Sequence, residues 1–422
     1  MAKNAFSMSK IRKWPRIGWL LAVTLFIFTA CTMMKMGSLF LAGHIENKGF
    51  YAEVDFHFQR GLIIVPVQIN NGQETYRFIF DTGAAFNVVS TAIAQKNALA
   101  SKAEDSISDS TQKSERTKFT KIERITVGGI PFENTAAAIL DLDRSPAIRC
   151  YNADGAIGAN LMRLVPYWHI DYAREKLIFT DLANRLPRPA GSETLPFKQN
   201  IQRIPTITVE WNGLRLPFKV DSGSTLGFIA PMEYWKKMQP RQTNIPAGTG
   251  YGEILVGALG KKTPQYFHEA IFDNIRSGTY SAPSMLITFM QEASASLGND
   301  FFHHFAMTID WPKKQIILTP QLPVKRPVLK TFGFGFSFNE REQYLYINSL
   351  NEKSPAEAAG LKIGDRILQI NDLKLETLPL DGYCRFFLQP ELFYGEGNVI
   401  VLKIRREGED HTYTLWKEIA LQ

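Results

Sequence analysis

Polar and apolar positions alternate with a period of two along most of the chain between Gly61 and about residue 320. Runs such as GLIIVPVQI and TYRFIF have strand composition, and the Asn71–Gly72 pair lies between these two runs. Alternation of this kind, interrupted by turn residues, predicts short β-strands joined as hairpins. Helical periodicity is limited to short segments such as TAIAQKNALA and PMEYWKKM. The pattern therefore predicts a mainly β protein.

The central feature is an internal repeat. The segment FIFDTGAAFNVVS contains Asp81, the segment FKVDSGSTLGFIA contains Asp221, and each follows a predicted hairpin with an Asn-Gly turn. Gly158 and Gly298, each at the end of an apolar run, lie 77 residues after the respective aspartates. Each unit then closes with a predicted hairpin, HIDYAREKLIFT in the first and MTIDWPKKQIILT in the second. Features matched at the same spacing indicate two duplicated lobes.

The repeated motif is suited to acid–base catalysis. An apolar strand precedes each aspartate and is expected to carry it into a buried environment that excludes water. The sequence then continues with Thr82–Gly83 in one unit and Ser222–Gly223 in the other. The glycines permit a tight loop, and the hydroxyl groups can brace it. Two such loops facing each other give a pair of close carboxyl groups that share one proton. One member is then a general base for water, and the other is a general acid.

Residues 55–320 resemble the pepsin/retropepsin class of aspartic peptidases, which is built from two β lobes with one Asp-Thr/Ser-Gly loop each. The resemblance implies that Asp81 and Asp221 are the catalytic dyad, and that the hydroxyls of Thr82 and Ser222 grip the backbone of the opposite lobe. It also implies a supporting role for the glycines and the serine around the two loops, namely Gly83, Gly223, Ser224, Gly158 and Gly298.

Two departures from pepsin-like sequences affect the expected activity. Ala84 lacks the hydroxyl that Ser224 has at the matching position of the second unit. Losing a hydrogen bond to a carboxylate raises its pKa, so we expect activity nearer neutral pH than in pepsin. Residues 91–149 also contain no tyrosine for a pepsin-like flap. The flap is expected within residues 113–127, or in the second lobe near residues 248–260.

The C-terminal block, from residue 331 to about residue 418, resembles a PDZ domain. Its segment YLYINSLNEKSPAEAAGLKIGDRILQINDLKL predicts a strand, a short helix beginning at Ser354, a Gly360 stop and a further strand. The resemblance implies that a peptide terminus binds at the loop formed by Gly333, Phe334, Gly335 and Phe336. The peptide would add as a strand along residues 337–339. The alternative is a PDZ fold that only packs on the lobes or binds no peptide terminus.

The N-terminus predicts targeting to a membrane. A basic stretch precedes an apolar run from Ile17 to Ala30, which is the layout of a secretory signal. Residues 28–31, FTAC, resemble the lipobox of bacterial lipoproteins, which implies lipidation of Cys31. An uncleaved signal anchor is the alternative, and either version places the protein outside the cytoplasm in a bacterial cell envelope. The formal net charge is +7, but after residue 31 there are 43 basic residues against 41 acidic ones, so nucleic acid is not an expected partner.

The cysteine and histidine residues give no further site. Cys150 and Cys384 fall in different predicted domains, so we expect buried free thiols rather than a disulfide. His303 and His304 are adjacent, and neighbouring side chains on a strand point to opposite faces, so they make no metal site. The sequence predicts no cofactor and no metal.

These observations predict six segments and a peptidase function. The segments are a signal or anchor (1–31), a tether (32–54), lobe 1 (55–186), lobe 2 (187–320), a linker (321–330) and a PDZ domain (331–422). The expected function is that of a membrane-anchored aspartic endopeptidase, with a protein substrate between the lobes and a peptide ligand on the PDZ domain. The alternative is a non-catalytic envelope scaffold that binds peptides in a degenerate protease fold.

Overall fold

The computed structural model describes residues 35–200, 202–242, 244–261, 263–328 and 330–419. The chain is mainly β, with 49% of residues in strands and 16% in helices, as the alternating pattern predicted. The predicted signal and Cys31 lie outside the described residues. Among the helices that are described, none has the length and apolar character needed to cross a bilayer.

The helices are short, and the first of them precedes the first strand. They are α1 (35–41), α2 (Thr91–Lys96), α3 (Pro146–Arg149), α4 (Ala159–Met162), α5 (Met232–Met238), α6 (Asn299–Phe302), α7 (Pro355–Ala358), α8 (Leu380–Leu388) and α9 (Pro390–Tyr394).

Lobe 1 is built around an eight-stranded sheet with the order β2-β3-β4-β9-β5-β8-β7-β6. The pairings of β4 with β9 and of β5 with β8 are parallel. Strands in this part of the chain are β1 (Tyr51–Asp55), β2 (His57–Gln59), β3 (Leu62–Ile69), β4 (Tyr76–Phe80), β5 (Asn87–Ser90), β6 (Ser101–Ser108), β7 (Ser114–Val127), β8 (Ile130–Leu140), β9 (Gly155–Ile157), β10 (Tyr167–Asp171) and β11 (Lys176–Thr180).

Lobe 2 repeats these pairings. Its β14 pairs in parallel with β21, and its β15 in parallel with β20, as β4 and β5 do in lobe 1. The strands are β12 (Glu193–Gln199), β13 (Pro205–Trp211), β14 (Leu214–Val220), β15 (Phe228–Pro231), β16 (Ala247–Gly252), β17 (Val256–Gly257), β18 (Gly260–Lys261), β19 (Gln265–Ser277), β20 (Tyr280–Met290), β21 (Ser296–Leu297), β22 (Phe305–Asp310) and β23 (Gln315–Pro320). The β13–β14 turn has positive φ at Asn212 and Gly213, which is the conformation that an Asn-Gly hairpin requires.

The two lobes share one antiparallel sheet and one core. Strands β1, β11, β10, β22, β23 and β12 pair in that order, and the β10–β22 pairing joins the closing hairpins of the two units. A single cluster of buried apolar side chains extends through both lobes, from Phe80 and Trp168 to Phe218 and Phe302. Burial of this shared core fixes one lobe against the other.

The PDZ part has its own core around Phe338, Leu345, Ile367 and Ile404. Strand β25 pairs with β26, β26 with β27, β27 with β29, and β29 with β30. Strands here are β24 (Lys330–Thr331), β25 (Phe334–Asn339), β26 (Tyr344–Asn351), β27 (Arg366–Ile370), β28 (Leu373–Lys374), β29 (Val399–Arg406), β30 (Glu409–Trp416) and β31 (Glu418–Ile419).

The expectation of two free thiols was wrong. Cys150, at the end of α3 in lobe 1, forms a disulfide with Cys384 in α8 of the PDZ part. Their Cα atoms lie 4.9 Å apart, within the range that a disulfide spans. The two cysteines lie in different domains, but this does not keep them apart, because α8 packs directly on lobe 1. The packing brings together residues that are 234 positions apart in sequence.

Candidate active site

The two repeated loops meet at the junction of the lobes. Strand β4 ends immediately before Asp81, and β14 ends immediately before Asp221. The Asp81 N–H donates to the Ile157 carbonyl at 3.0 Å, and the Asp221 N–H donates to the Leu297 carbonyl at 2.9 Å. Because these acceptors lie on the parallel partner strands β9 and β21, the same local structure carries each aspartate to the interface.

Thr82 and Ser222 interlock the loops. The Thr82 N–H donates to the Ser222 hydroxyl, and the Ser222 N–H donates to the Thr82 hydroxyl, both at 3.0 Å. The Thr82 hydroxyl donates to the Val220 carbonyl at 2.8 Å, and the Ser222 hydroxyl donates to the Phe80 carbonyl at 2.7 Å. Both side chains are fully buried. Each hydroxyl thus grips the opposite lobe, as the resemblance implied.

Gly83 and Gly223 allow the carboxyl groups to approach the opposite loops. A Cβ atom on Gly83 would overlap the Asp221 carboxyl group, and one on Gly223 would overlap the Asp81 carboxyl group. Any side chain at either position would separate the two loops. The sequence assigned these glycines to tight turns, and the structure adds that they make room for the partner aspartate.

Gly158 and Gly298 pack a second segment against each loop. A Cβ atom at either position would overlap a backbone carbonyl, of Phe86 in lobe 1 or of Leu226 in lobe 2. The residues that follow these glycines bond to the loops themselves. The Ala159 N–H donates to the Ala84 carbonyl at 2.8 Å, and the Asn299 N–H donates to the Ser224 carbonyl at 2.9 Å.

The two carboxyl groups are coupled electrostatically. Burial, followed by the neighbouring charge of Asp221, raises the pKa of Asp81 to about 7, although the N–H groups of Gly83 and Ala84 oppose this rise. Burial also raises the pKa of Asp221, against the opposing effects of Lys219, of the Gly223 N–H and of a hydrogen bond with Asp81. Two buried carboxyl groups that are coupled in this way can share one proton, and such a pair can combine an acid and a base.

Both regions expected to contain the flap form hairpins, β6–β7 in lobe 1 and β16–β19 in lobe 2. We name them the lobe 1 flap and the lobe 2 flap, and which of them covers the site stays a prediction. Their ends meet between the lobes. The Leu259 N–H donates to the Asp109 carboxylate at 2.8 Å, and the Gln112 side-chain amide donates to the Ser294 hydroxyl at 2.7 Å. The turn of the lobe 1 hairpin therefore contacts lobe 2 at two places.

Of the four residues predicted to form the peptide-binding loop, Gly333 precedes strand β25 and the other three lie within it, against aromatic side chains of the PDZ part. The Tyr394 hydroxyl donates to the Phe334 carbonyl at 3.0 Å, and the Phe336 ring lies 4.1 Å from the Phe393 ring, centroid to centroid. A Cβ atom on Gly333 would overlap Ser354, and Gly335 lies against Ser349. Strand β25 pairs with β26 on one side, and its opposite edge faces away from that pairing.

The PDZ part contacts both lobes. In α8, the Phe387 ring packs edge-on against Tyr151 of lobe 1, and the Arg60 guanidinium lies 4.1 Å from the centroid of the same Phe387 ring. Arg149 of lobe 1 also forms an ion pair with Glu340. On lobe 2, strand β26 pairs with the flap strand β16. The sheet of the PDZ part therefore continues into the lobe 2 flap.

Asn299, which lies beside the Asp221 loop, was not found from the sequence. Asn299 donates from its side chain to the Ser222 and Gly61 carbonyls, both at 2.7 Å, and it accepts from the Tyr172 hydroxyl at 2.7 Å. Asn299 directly follows Gly298, but the matching residue of lobe 1 is Ala159. Comparing the repeats therefore gave no signal for this asparagine.

The fold and the paired loops define a bilobal, pepsin/retropepsin-like acid protease followed by a PDZ domain. Residues 65–161 match the family model described as aspartyl protease, and residues 322–383 match the PDZ domain model. The chain therefore carries an aspartyl protease domain and a C-terminal PDZ domain, and both resemblances are confirmed. These domains indicate a peptidase with a peptide-binding or protein-binding module. The protease match ends within α4, so the assignment of lobe 2 rests on the internal repeat and on its matching topology.

Proposed function

We propose that this protein is an aspartic endopeptidase that hydrolyses peptide bonds with a water molecule activated by Asp81 and Asp221. The observation that carries the proposal is the interlocked pair of loops, which places each carboxyl group against the glycine of the opposite loop. Each lobe supplies one member of the pair, which accounts for the duplication.

The reaction follows from the charges of the pair. In the proposed reaction Asp81, whose pKa is raised to about 7, holds the proton, and Asp221 is assigned as the ionised partner. The Asp221 carboxylate removes a proton from water, whose oxygen attacks the peptide carbonyl carbon, while Asp81 donates its proton to the carbonyl oxygen. The tetrahedral intermediate then collapses as the C–N bond breaks. The nitrogen takes up a proton from Asp221, and Asp81 recovers its own from the hydroxyl.

The second candidate function is the non-catalytic scaffold. It would place extended peptides in the cleft without hydrolysis, and it would require no shared proton between Asp81 and Asp221. The interlocked loops, in which each carboxyl group lies against the glycine of the opposite loop, favour the enzyme.

The proposal also covers the cellular location of the protein and the ligand of its PDZ domain. The basic and apolar N-terminus supports attachment to the membrane of a bacterial cell envelope, through lipidation of Cys31 or through a signal anchor. The Cys150–Cys384 disulfide is typical of an oxidising compartment outside the cytoplasm. The outer edge of β25, along residues 337–339, is the proposed site for an extended peptide or substrate terminus.

The test is cleavage of an unfolded protein by the full chain in detergent micelles, between pH 3 and pH 8. The matched pair of variants is Asp81→Asn and Asp372→Asn, because Asp372 is an exposed aspartate of the PDZ part. We expect cleavage by the wild-type protein and the Asp372→Asn variant, and inhibition by a statine-type compound. Absence of cleavage by folded wild-type protein across this range would favour the scaffold.

A further inference from the structure

Asn299 is a buried polar residue whose three hydrogen bonds fix its orientation. Its side chain is fully buried, and two carbonyl oxygens, of Gly61 and Ser222, each lie 2.7 Å from the same side-chain nitrogen. Only an NH₂ group can donate to both acceptors, so the amide oxygen must face the other way. That oxygen needs a donor, and the Tyr172 hydroxyl supplies it. Burial raises the pKa of Tyr172, so this hydroxyl stays protonated.

The Ser222 carbonyl belongs to the same peptide unit as the Gly223 N–H, which is a hydrogen-bond donor to Asp221. The N–H of the same unit, on Gly223, donates to the Asp221 carboxylate at 3.2 Å. A planar peptide cannot turn its carbonyl without turning its N–H. Donation from Asn299 to the carbonyl therefore also aims the N–H at Asp221.

Lobe 1 has no asparagine at the position of Asn299, and its aspartate accepts from a second backbone N–H group instead. Asp81 accepts from two N–H groups, of Gly83 at 2.8 Å and of Ala84 at 3.0 Å, whereas the N–H donor to the Asp221 carboxylate in lobe 2 is that of Gly223. Ala159 stands in lobe 1 where lobe 2 has Asn299. Asn299 therefore supports the loop of Asp221, which has the weaker set of backbone N–H donors of the two aspartates.

We propose that Asn299, oriented by Tyr172, is a positioning residue that holds the Ser222–Gly223 peptide with its N–H directed at the Asp221 carboxylate. Through the Gly61 carbonyl, the same side chain ties this loop to the β2–β3 turn of lobe 1. This inference rests on the proposed function, because it assigns Asn299 a role toward the ionised member of the pair.

The first test is the pH dependence of cleavage by Asn299→Ala and Tyr172→Phe in the full chain. Because the Gly223 N–H favours the charged form of Asp221, weakening it should raise the pKa of Asp221, on which Asp81 and Lys219 also act. We expect the acid limb of the profile to move up by about half a pH unit, and kcat to fall about tenfold with little change in KM.

A double-mutant cycle separates positioning from general support. If the Tyr172 hydroxyl acts through Asn299, then Tyr172→Phe should have no further effect on kcat in the Asn299→Ala background. The matched control is Tyr234→Phe, which removes another buried hydroxyl of the chain, one that donates to the Pro217 carbonyl. Additive losses in the cycle would overturn the inference.

A second test needs no turnover. A higher folded-state pKa for Asp221 means that stability is lost as pH rises toward that value. The free energy of unfolding of Asn299→Ala should therefore fall further below that of the wild type as the pH rises above the ordinary aspartate value of 3.8. The control Asn97→Ala, which removes two lobe 1 hydrogen bonds, should give a pH-independent difference. Parallel curves for Asn299→Ala would overturn the inference, whereas an inactive wild type would count only against the proposed function.

Discussion

Cys150 of lobe 1 and Cys384 of the PDZ domain are joined by a disulfide, so the peptide-binding module is covalently fixed to the protease domain. Both residues lie in one apolar cluster, which places the bond within packed structure rather than at a loose surface contact. The domain interface is therefore part of the folded unit.

Removing this bond should lower stability without preventing folding of the lobes. For the Cys150→Ser/Cys384→Ser variant we expect the free energy of unfolding to fall by about 2–4 kcal/mol, because a cross-link restricts the unfolded chain. Denaturant titration followed by fluorescence is the measurement. Reduced wild-type protein is the control and should match the variant. Equal stability of the oxidised wild type and the variant would contradict the prediction.

Cleavage should follow a bell-shaped pH profile with its alkaline limb near pH 7. Activity needs one proton on the pair, and Asp81, with a pKa of about 7, loses that proton as the pH rises. The raised pKa values of both aspartates also place the acid limb above the ordinary aspartate range. Initial rates at low substrate concentration report these limits. An optimum below about pH 4 would contradict the burial that raises both values.

Asp81→Asn should abolish cleavage and stabilise the protein at neutral pH. Since the folded-state pKa of Asp81 is raised, wild-type stability is fully present below the ordinary value of 3.8 and is lost as the pH rises toward about 7. The variant lacks this titration. We expect it to gain about 1–3 kcal/mol relative to the wild type between pH 4 and pH 7, and then to keep a constant difference. Urea unfolding at several pH values measures this. A gain that is independent of pH would refute the assignment.

Thr82→Val should weaken the junction of the lobes. The substitution keeps the shape but removes the hydroxyl that accepts from Ser222 N–H and donates to the Val220 carbonyl. Because both backbone groups then lie buried and unpaired, the expected loss of stability is about 2–4 kcal/mol. Thr82→Ser retains the hydroxyl and should lose less than half as much. Similar losses for both variants would contradict the prediction, because the methyl group would then matter as much as the hydroxyl group.

The fold and the candidate pair were predictable because their signals are local and repeated. Asp81 and Asp221 each follow an apolar strand, precede a glycine and have a second glycine at the same distance, so one duplicated pattern indicates both loops and their partners. Strand alternation similarly indicated the β lobes, since burial on one face leaves a period of two in the sequence.

The disulfide, Asn299 and the continuity of the PDZ sheet with the flap were not predictable in this way. Each depends on how units that are distant in sequence dock, and docking leaves no periodic signal. Cys150 and Cys384 are single residues in different domains, and Asn299 has no counterpart in the repeat. The sequences of β16 and β26 each predict an ordinary strand, but they do not predict that the two strands pair.

Gly252→Ala should separate the lobe 2 flap from the PDZ domain. Gly252 ends β16, opposite Ser349 of β26, and a Cβ atom there would overlap the backbone of β26. The junction is otherwise held by donation from Glu352 N–H to the Thr249 carbonyl at 2.7 Å and from Glu253 N–H to the Asn348 carbonyl at 3.0 Å. We expect amide hydrogen exchange at these donors to accelerate about tenfold or more, because backbone bonds that open locally exchange faster.

Gly260→Ala is the matched control for this prediction. Gly260 lies on the same flap with a positive φ of 101°, so an added Cβ atom is strained there as at Gly252, where φ is 148°. The nearest atom to that Cβ, Lys113 Nζ, is 3.9 Å away, so no contact with the PDZ domain is disturbed. Faster exchange at Glu253 and Glu352 in the Gly252 variant alone would show that the PDZ domain anchors the flap. Equal exchange in both variants would attribute the change to backbone strain, and the flap would then move independently of the PDZ domain.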